Sequence, residues 1–191
     1  MPFSESKARR YHGLLIVLHW LIAAAIIGMI GLGIVMKYGG LEKSTTFQLY
    51  QWHKSIGLLI LLAVLLRLLV RLSTHIPPLP GSIKKGDQRL AKLGHFALYA
   101  AMLIMPITGW LIVSSSVYGL PTYIFGWFEW PHIPNITGNK VIHDGAEEPH
   151  GWLAYICLGL IILHVLAVIK HRLVDRVNLL PRMGIGHRRH R

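Results

Sequence analysis

The sequence predicts an all-α membrane protein, a four-helix transmembrane bundle with both termini in the cytoplasm. Three observations predict it. Apolar residues fill 53% of the 191 positions and charged residues only 15%, against roughly 25% charged in a soluble domain; the mean hydropathy is +0.48. The apolar residues gather into four runs, each close to the ~20 residues that a membrane crossing needs. The basic residues fall between and beyond those runs, 16 of the 20 Lys and Arg on one side of such a bundle. A disordered chain, which needs low hydrophobicity, is excluded. The net charge of +12 would suggest nucleic acid in a soluble protein. Here it follows the topology, so no nucleic-acid partner is expected.

The first span is Gly13–Met36, 24 residues without Asp, Glu, Lys or Arg. It is too long for the roughly 7–15-residue apolar region of a signal peptide, contains a histidine and reads as a retained span. The second runs from about Ser55 to Leu72, with Arg67 and Arg71 able to snorkel from its end. The third covers Leu93 to about Tyr118 and is interrupted by Pro106, which a membrane helix tolerates when neighbours satisfy the freed carbonyl. The fourth covers Gly151–Ile169, ahead of a basic tail over 170–191. The positive-inside rule places the termini and the middle loop of the multi-pass protein in the cytoplasm. The whole chain reads as one transmembrane domain. The outer loop, from about 119 to 149, is rich in Trp, Tyr and Pro. It either lies on the membrane face or caps something between the spans.

The chemistry sits in the histidines. The single cysteine, Cys157, rules out a disulfide, a CxxCH haem attachment and a cysteine metal centre. Five of the 12 histidines lie in or at the ends of spans: His19, His53, His95, His150 and His164. An ionisable residue at membrane depth is a functional candidate by default. His150 and His164, 14 residues apart, stand on nearly one helix face and ~21 Å apart along the axis. His164 lies level with His19 near the cytoplasmic surface, and His150 level with His53 near the outer one. Two bis-histidine pairs result, each able to ligate one iron axially inside a bundle. The cofactor expected is therefore two haem b.

Glycines offer room for a porphyrin: Gly28, Gly31, Gly33, Gly57, Gly94, Gly109 and Gly159. The same glycines would equally allow close helix packing. Lys54 on the outer side, and Arg67 and Arg71 on the inner, are candidates for haem propionates or for simple anchoring. His95 is the spare, open to three roles: bonding a propionate, serving a quinone site, or replacing His19 as ligand. His132 and His143 are expected in solvent. The tail Gly186-His-Arg-Arg-His-Arg191 is expected on anionic membrane lipid.

These stretches resemble the bacterial cytochrome b561 family of four-span dihaem membrane cytochromes. The matching segments are Val17-Leu-His-Trp20, Gln51-Trp-His-Lys-Ser-Ile-Gly57, Leu93-Gly-His-Phe-Ala-Leu-Tyr99, Phe125-Gly-Trp-Phe128, and the His150/His164 pair followed by Lys170-His171. The resemblance covers nearly the whole chain. It implies b haems on His19, His53, His150 and His164, and one-electron transfer across the membrane in a respiratory chain, with a quinone such as ubiquinone as one partner and an unnamed donor or acceptor as the other. Some members of the family are similar to superoxide oxidases, which pass electrons from superoxide to quinone. The outer segments here carry four basic against five acidic residues, which gives that activity no electrostatic support. Two further readings remain. The chain is the haem b membrane anchor of a larger quinone-linked dehydrogenase, with a partner subunit docked on its basic loops. Alternatively it is a transporter using histidines for protons or metal, against which its spans hold no Asp or Glu and show no inverted repeat.

Overall fold

A computed structural model describes residues 10–186; Lys7, Arg9 and the tail from His187, including the expected lipid contact, lie outside the described residues. The element order is α1 (Gly13–Tyr38), α2 (Lys43–Ser73), α3 (Lys85–Ser115), a hairpin of β1 (Thr122–Ile124) and β2 (Phe128–Trp130), then α4 (Lys140–Leu173) and a 3₁₀ turn at Leu180–Met183. All four α-helices are long and apolar enough to cross a membrane.

Each helix contains its expected span, with two differences at the hairpin end. The third helix stops at Ser115, three residues short of the expected Tyr118. There the loop takes over the helix end: Ile133 N donates to Ser114 Oγ and Gly138 N to Ser115 O. The fourth helix starts at Lys140, so residues 140–149, expected in the loop, are helical. Asn139 caps it, its side chain accepting from Ile142 N at 3.1 Å, one of the orphan donors that every helix start must satisfy. Pro149 then sits inside α4.

α1 packs on α2 and α3 on α4, with α2 and α3 more loosely joined. Leu18, Ile22, Ile60 and Val64 form the buried core between the first two helices, and Tyr99, Met102 and Leu103 of α3 close over it. α1 and α4 meet at few points, one being the Tyr38–Tyr155 hydroxyl contact at 3.3 Å.

The two ends of the bundle are closed differently. At the basic end, Arg182 is only 3% exposed. Its guanidinium donates to Pro77 O and Pro78 O in the α2–α3 loop and lies over the Tyr11 ring. Tyr11 N donates to Arg182 O, so one turn clamps both chain ends and the middle loop. Asp175 and His171 are joined at 2.6 Å, and Lys170 bridges Asp175 and Asp87. The hairpin end is closed by β1–β2. Three residues, Phe125, Gly126 and Trp127, join the strands, with positive φ at Phe125 (51°) and Gly126 (77°) and Trp127 N donating to Ile124 O. A left-handed Phe is uncommon. Here Ser55 Oγ accepts from its N–H, and Trp52 meets its ring edge-on at 5.7 Å. The loop thus caps the bundle, one of the two roles its aromatic content allows, while Trp127 at its tip is 86% exposed.

Candidate functional site

Five histidines converge in two places. At the hairpin end, His53 of α2 and His150 of α4 face each other with ring centroids 6.3 Å apart. At the basic end, His19 of α1 and His164 of α4 stand 6.2 Å apart. The helix period explains this: 14 residues bring α4 round to nearly the same face, so its two histidines look across the bundle toward α1 and α2, where direct helix packing is sparse.

The spacing has a chemical meaning. An imidazole nitrogen binds a metal at roughly 2.0 Å, and the ring centroid lies roughly 1.1 Å beyond it, so two imidazoles on opposite sides of one metal have centroids roughly 6.3 Å apart. Both pairs match that figure. His95 of α3 also reaches the basic-end cluster, its centroid 5.5 Å from His164, closer than trans ligation of a single metal requires.

Hydrogen bonds define the hairpin-end pair further. Thr108 Oγ1 donates its one proton to Met105 O at 2.8 Å. It can therefore only accept from His150 Nδ1, 2.9 Å away, which puts the ring proton on Nδ1 and leaves Nε2 bare for a metal. His53 Nδ1 is buried with no hydrogen-bond partner, a state that buried polar atoms avoid unless a ligand completes them. Gly109 admits the His150 ring: a Cβ there would sit 3.4 Å from Cε1. At the basic end Trp20 touches His19 edge-on at 5.0 Å and is itself held by its indole N–H donating to Met183 O.

The glycines divide the two sequence-level explanations. At Gly28, Gly31, Gly33, Gly94 and Gly159 a Cβ would meet nothing within 4 Å, so these glycines do not serve close helix contact among the described residues. They border open space inside or beside the bundle, room that a macrocycle needs.

The cations are placed unevenly. Arg67 donates to Tyr99 Oη at 2.9 Å and to Leu15 O at 3.3 Å, which turns it inward toward α1 and α3. Arg71 lies over the Tyr99 ring. Lys54 reaches Thr122 Oγ1 at 3.3 Å and belongs to the hairpin cap. His132 and His143, expected in solvent, are half-buried: His132 bonds Thr122 Oγ1 and His143 bonds Ile112 O. Sequence reasoning missed Thr108 and Arg182. A threonine inside a span carries no signal alone.

The family model for prokaryotic cytochrome b561 matches residues 10–186. Cytochrome b561 homolog 2 of Escherichia coli (strain K12) is 33% identical over 184 residues, covering 96% of this chain and 95% of that protein. A protein of Yersinia pestis named probable superoxide oxidase CybB is 29% identical over 175 residues, 92% of this chain and 96% of its own. The chain belongs to the prokaryotic cytochrome b561 family, multi-pass membrane proteins of electron transport for which b-type haem is the implied cofactor.

Proposed function

We propose that the chain is a single transmembrane domain over residues 1–191 that holds two b haems, one at each end, and passes single electrons between the two faces of a bacterial inner membrane. The observation that carries this reading is the pair of histidine contacts at 6.2 and 6.3 Å, the separation at which two imidazoles share one metal. His53 and His150 hold the hairpin-end haem. His164 and His19 hold the basic-end haem, because the His95–His164 separation is too short for that role.

Bound haem supplies a reversible one-electron couple on its iron. The chain does the rest. With two histidines at each site, the chain would hold a haem iron as an electron relay rather than as an oxygen binder. Thr108 fixes the His150 tautomer and makes that ring a stronger ligand. Arg67 offers the cation that a haem carboxylate needs at the basic end, and Lys54 does so at the other. His95 stays beside the basic-end site without ligating. The excess of Lys and Arg at the basic end sets that end toward the cytoplasm.

Quinone, as the family resemblance implies, is proposed as one electron partner. The test is anaerobic addition of ubiquinol to the purified protein while the haem absorbance is followed. Haem reduction supports the quinone link, and its absence with quinols of every chain length tried contradicts it. A second reading, favoured by the likeness to a protein named probable superoxide oxidase, is that superoxide is the donor at the hairpin end. Haem reduction by a superoxide-generating system, abolished by superoxide dismutase, would establish it.

A further inference from the structure

A cavity of about 620 Å³ opens between the second half of α2 and the first half of α3, where these two helices are loosely joined. That is within the roughly 300–1,000 Å³ of small-molecule sites. Its wall along α3 is mostly apolar, with Phe96, Ala100, Leu103 and Ile104 beside the polar His95 and Tyr99, and its rim at the basic end is cationic, formed by Arg71 and Lys92. Phe96 is 71% and Ile104 45% exposed, so the cavity is a lateral groove on the side of the bundle and not a sealed core void.

We propose that this groove is a binding site for one anionic phospholipid, with its phosphate on Arg71 and Lys92 and one acyl chain along the α3 wall. Five observations favour that occupant. The groove opens sideways from helices that cross a membrane, so lipid is what surrounds it. From Lys92 to Ile104 the helix rises ~18 Å, about the depth of one leaflet of a ~30 Å hydrocarbon core. The cations stand at the end of that run where a headgroup lies. Neither has an acidic partner among the described residues, since the nearby Asp87 is taken by Lys170 at 2.7 Å. The Arg71 guanidinium is also held in place over the Tyr99 ring at 5.8 Å. A basic pocket between membrane helices is a general recognition device for anionic headgroups.

The test is native mass spectrometry of the haem-loaded protein released from bilayers of equal phosphatidylglycerol and phosphatidylcholine, with haem content read on the same sample. One phosphatidylglycerol is expected per chain. Lys92→Gln should weaken its retention about fivefold, the worth of one cation near an anionic lipid, with haem unchanged. Ala100→Trp keeps both charges and fills the groove, and it should abolish retention. Equal retention of both lipids overturns the proposal, as does a quinone retained in the groove in place of lipid. Loss of haem from Lys92→Gln would also overturn it, because the rim would then serve the haem.

Discussion

The two histidine sites have the same spacing but different surroundings. At the hairpin end there are two rings, and one of them is oriented by the protein: Thr108, polarised by Met105 O, fixes the proton on His150 Nδ1. At the basic end there are three rings, His19, His95 and His164; the two that face each other, His19 and His164, are held by aromatic contact and flanked by Arg67, with no ring hydrogen bond to either among the described residues. The hairpin-end site is preorganised through its ligand. The basic-end site is preorganised through its frame, because the Arg182 clamp and the Met183 contact to Trp20 hold the wall against which His19 rests. The same cofactor chemistry can thus be supported by local bonds or by tertiary closure, and the two sites should fail in different ways.

The largest expected effect separates the sites. His164→Ala should halve the haem-to-protein ratio by emptying the basic-end site alone, and His150→Ala should halve it by emptying the other. If either variant loses both haems, the sites are not independent. A finer cut distinguishes the two candidates facing His164. His19→Ala should lose the basic-end haem, and His95→Ala should retain both haems with a shifted potential at one. Pyridine haemochrome assays and redox titration of the two variants read this directly, and the reverse outcome would exchange the roles of His19 and His95.

Next in size is Thr108→Val, which removes the bond to His150 while preserving shape. Loss of such a supporting bond costs about ten- to a hundredfold in metal-site affinity. Haem release into apomyoglobin should therefore quicken in one kinetic phase and stay unchanged in the other. Arg182→Gln should act on the opposite end, lowering the thermal midpoint and quickening the basic-end phase, because it leaves the carbonyls of Pro77 and Pro78 unpaired. The smallest effect is on pH. The Lys170 ammonium, and after it His171, holds the Asp175 carboxyl below the usual carboxylate range. Its contribution to stability is therefore present above pH ~4 and lost as the pH falls below that value. Asp175→Asn should remove that part of the acid sensitivity in a thermal-shift series.

The parts legible in the sequence were those that local rules encode. Hydropathy and the 3.6-residue period were enough to locate the four spans and to put His150 and His164 on one face of α4. Matching depth was enough to suggest which histidines face each other. The rest depends on how helices pack, which no local pattern carries. His95 lies beside His164 only because α3 packs closely on α4. Ser114 and Ser115 end α3 early because a distant loop bonds to them, and Arg182 is buried because it closes three separated segments. His171 and Asp175 stand in an i,i+4 relation that a helix reading would have paired, but the fourth span was expected to end at Ile169, before both of them.

The central claim is two haems on two histidine pairs, and a reduced-minus-oxidised optical spectrum with haem and protein quantified together on one purified sample tests it most directly. The account predicts b-type bands and two haems per chain. One haem per chain would contradict the two-site reading, and none would return the five histidines to packing or transport.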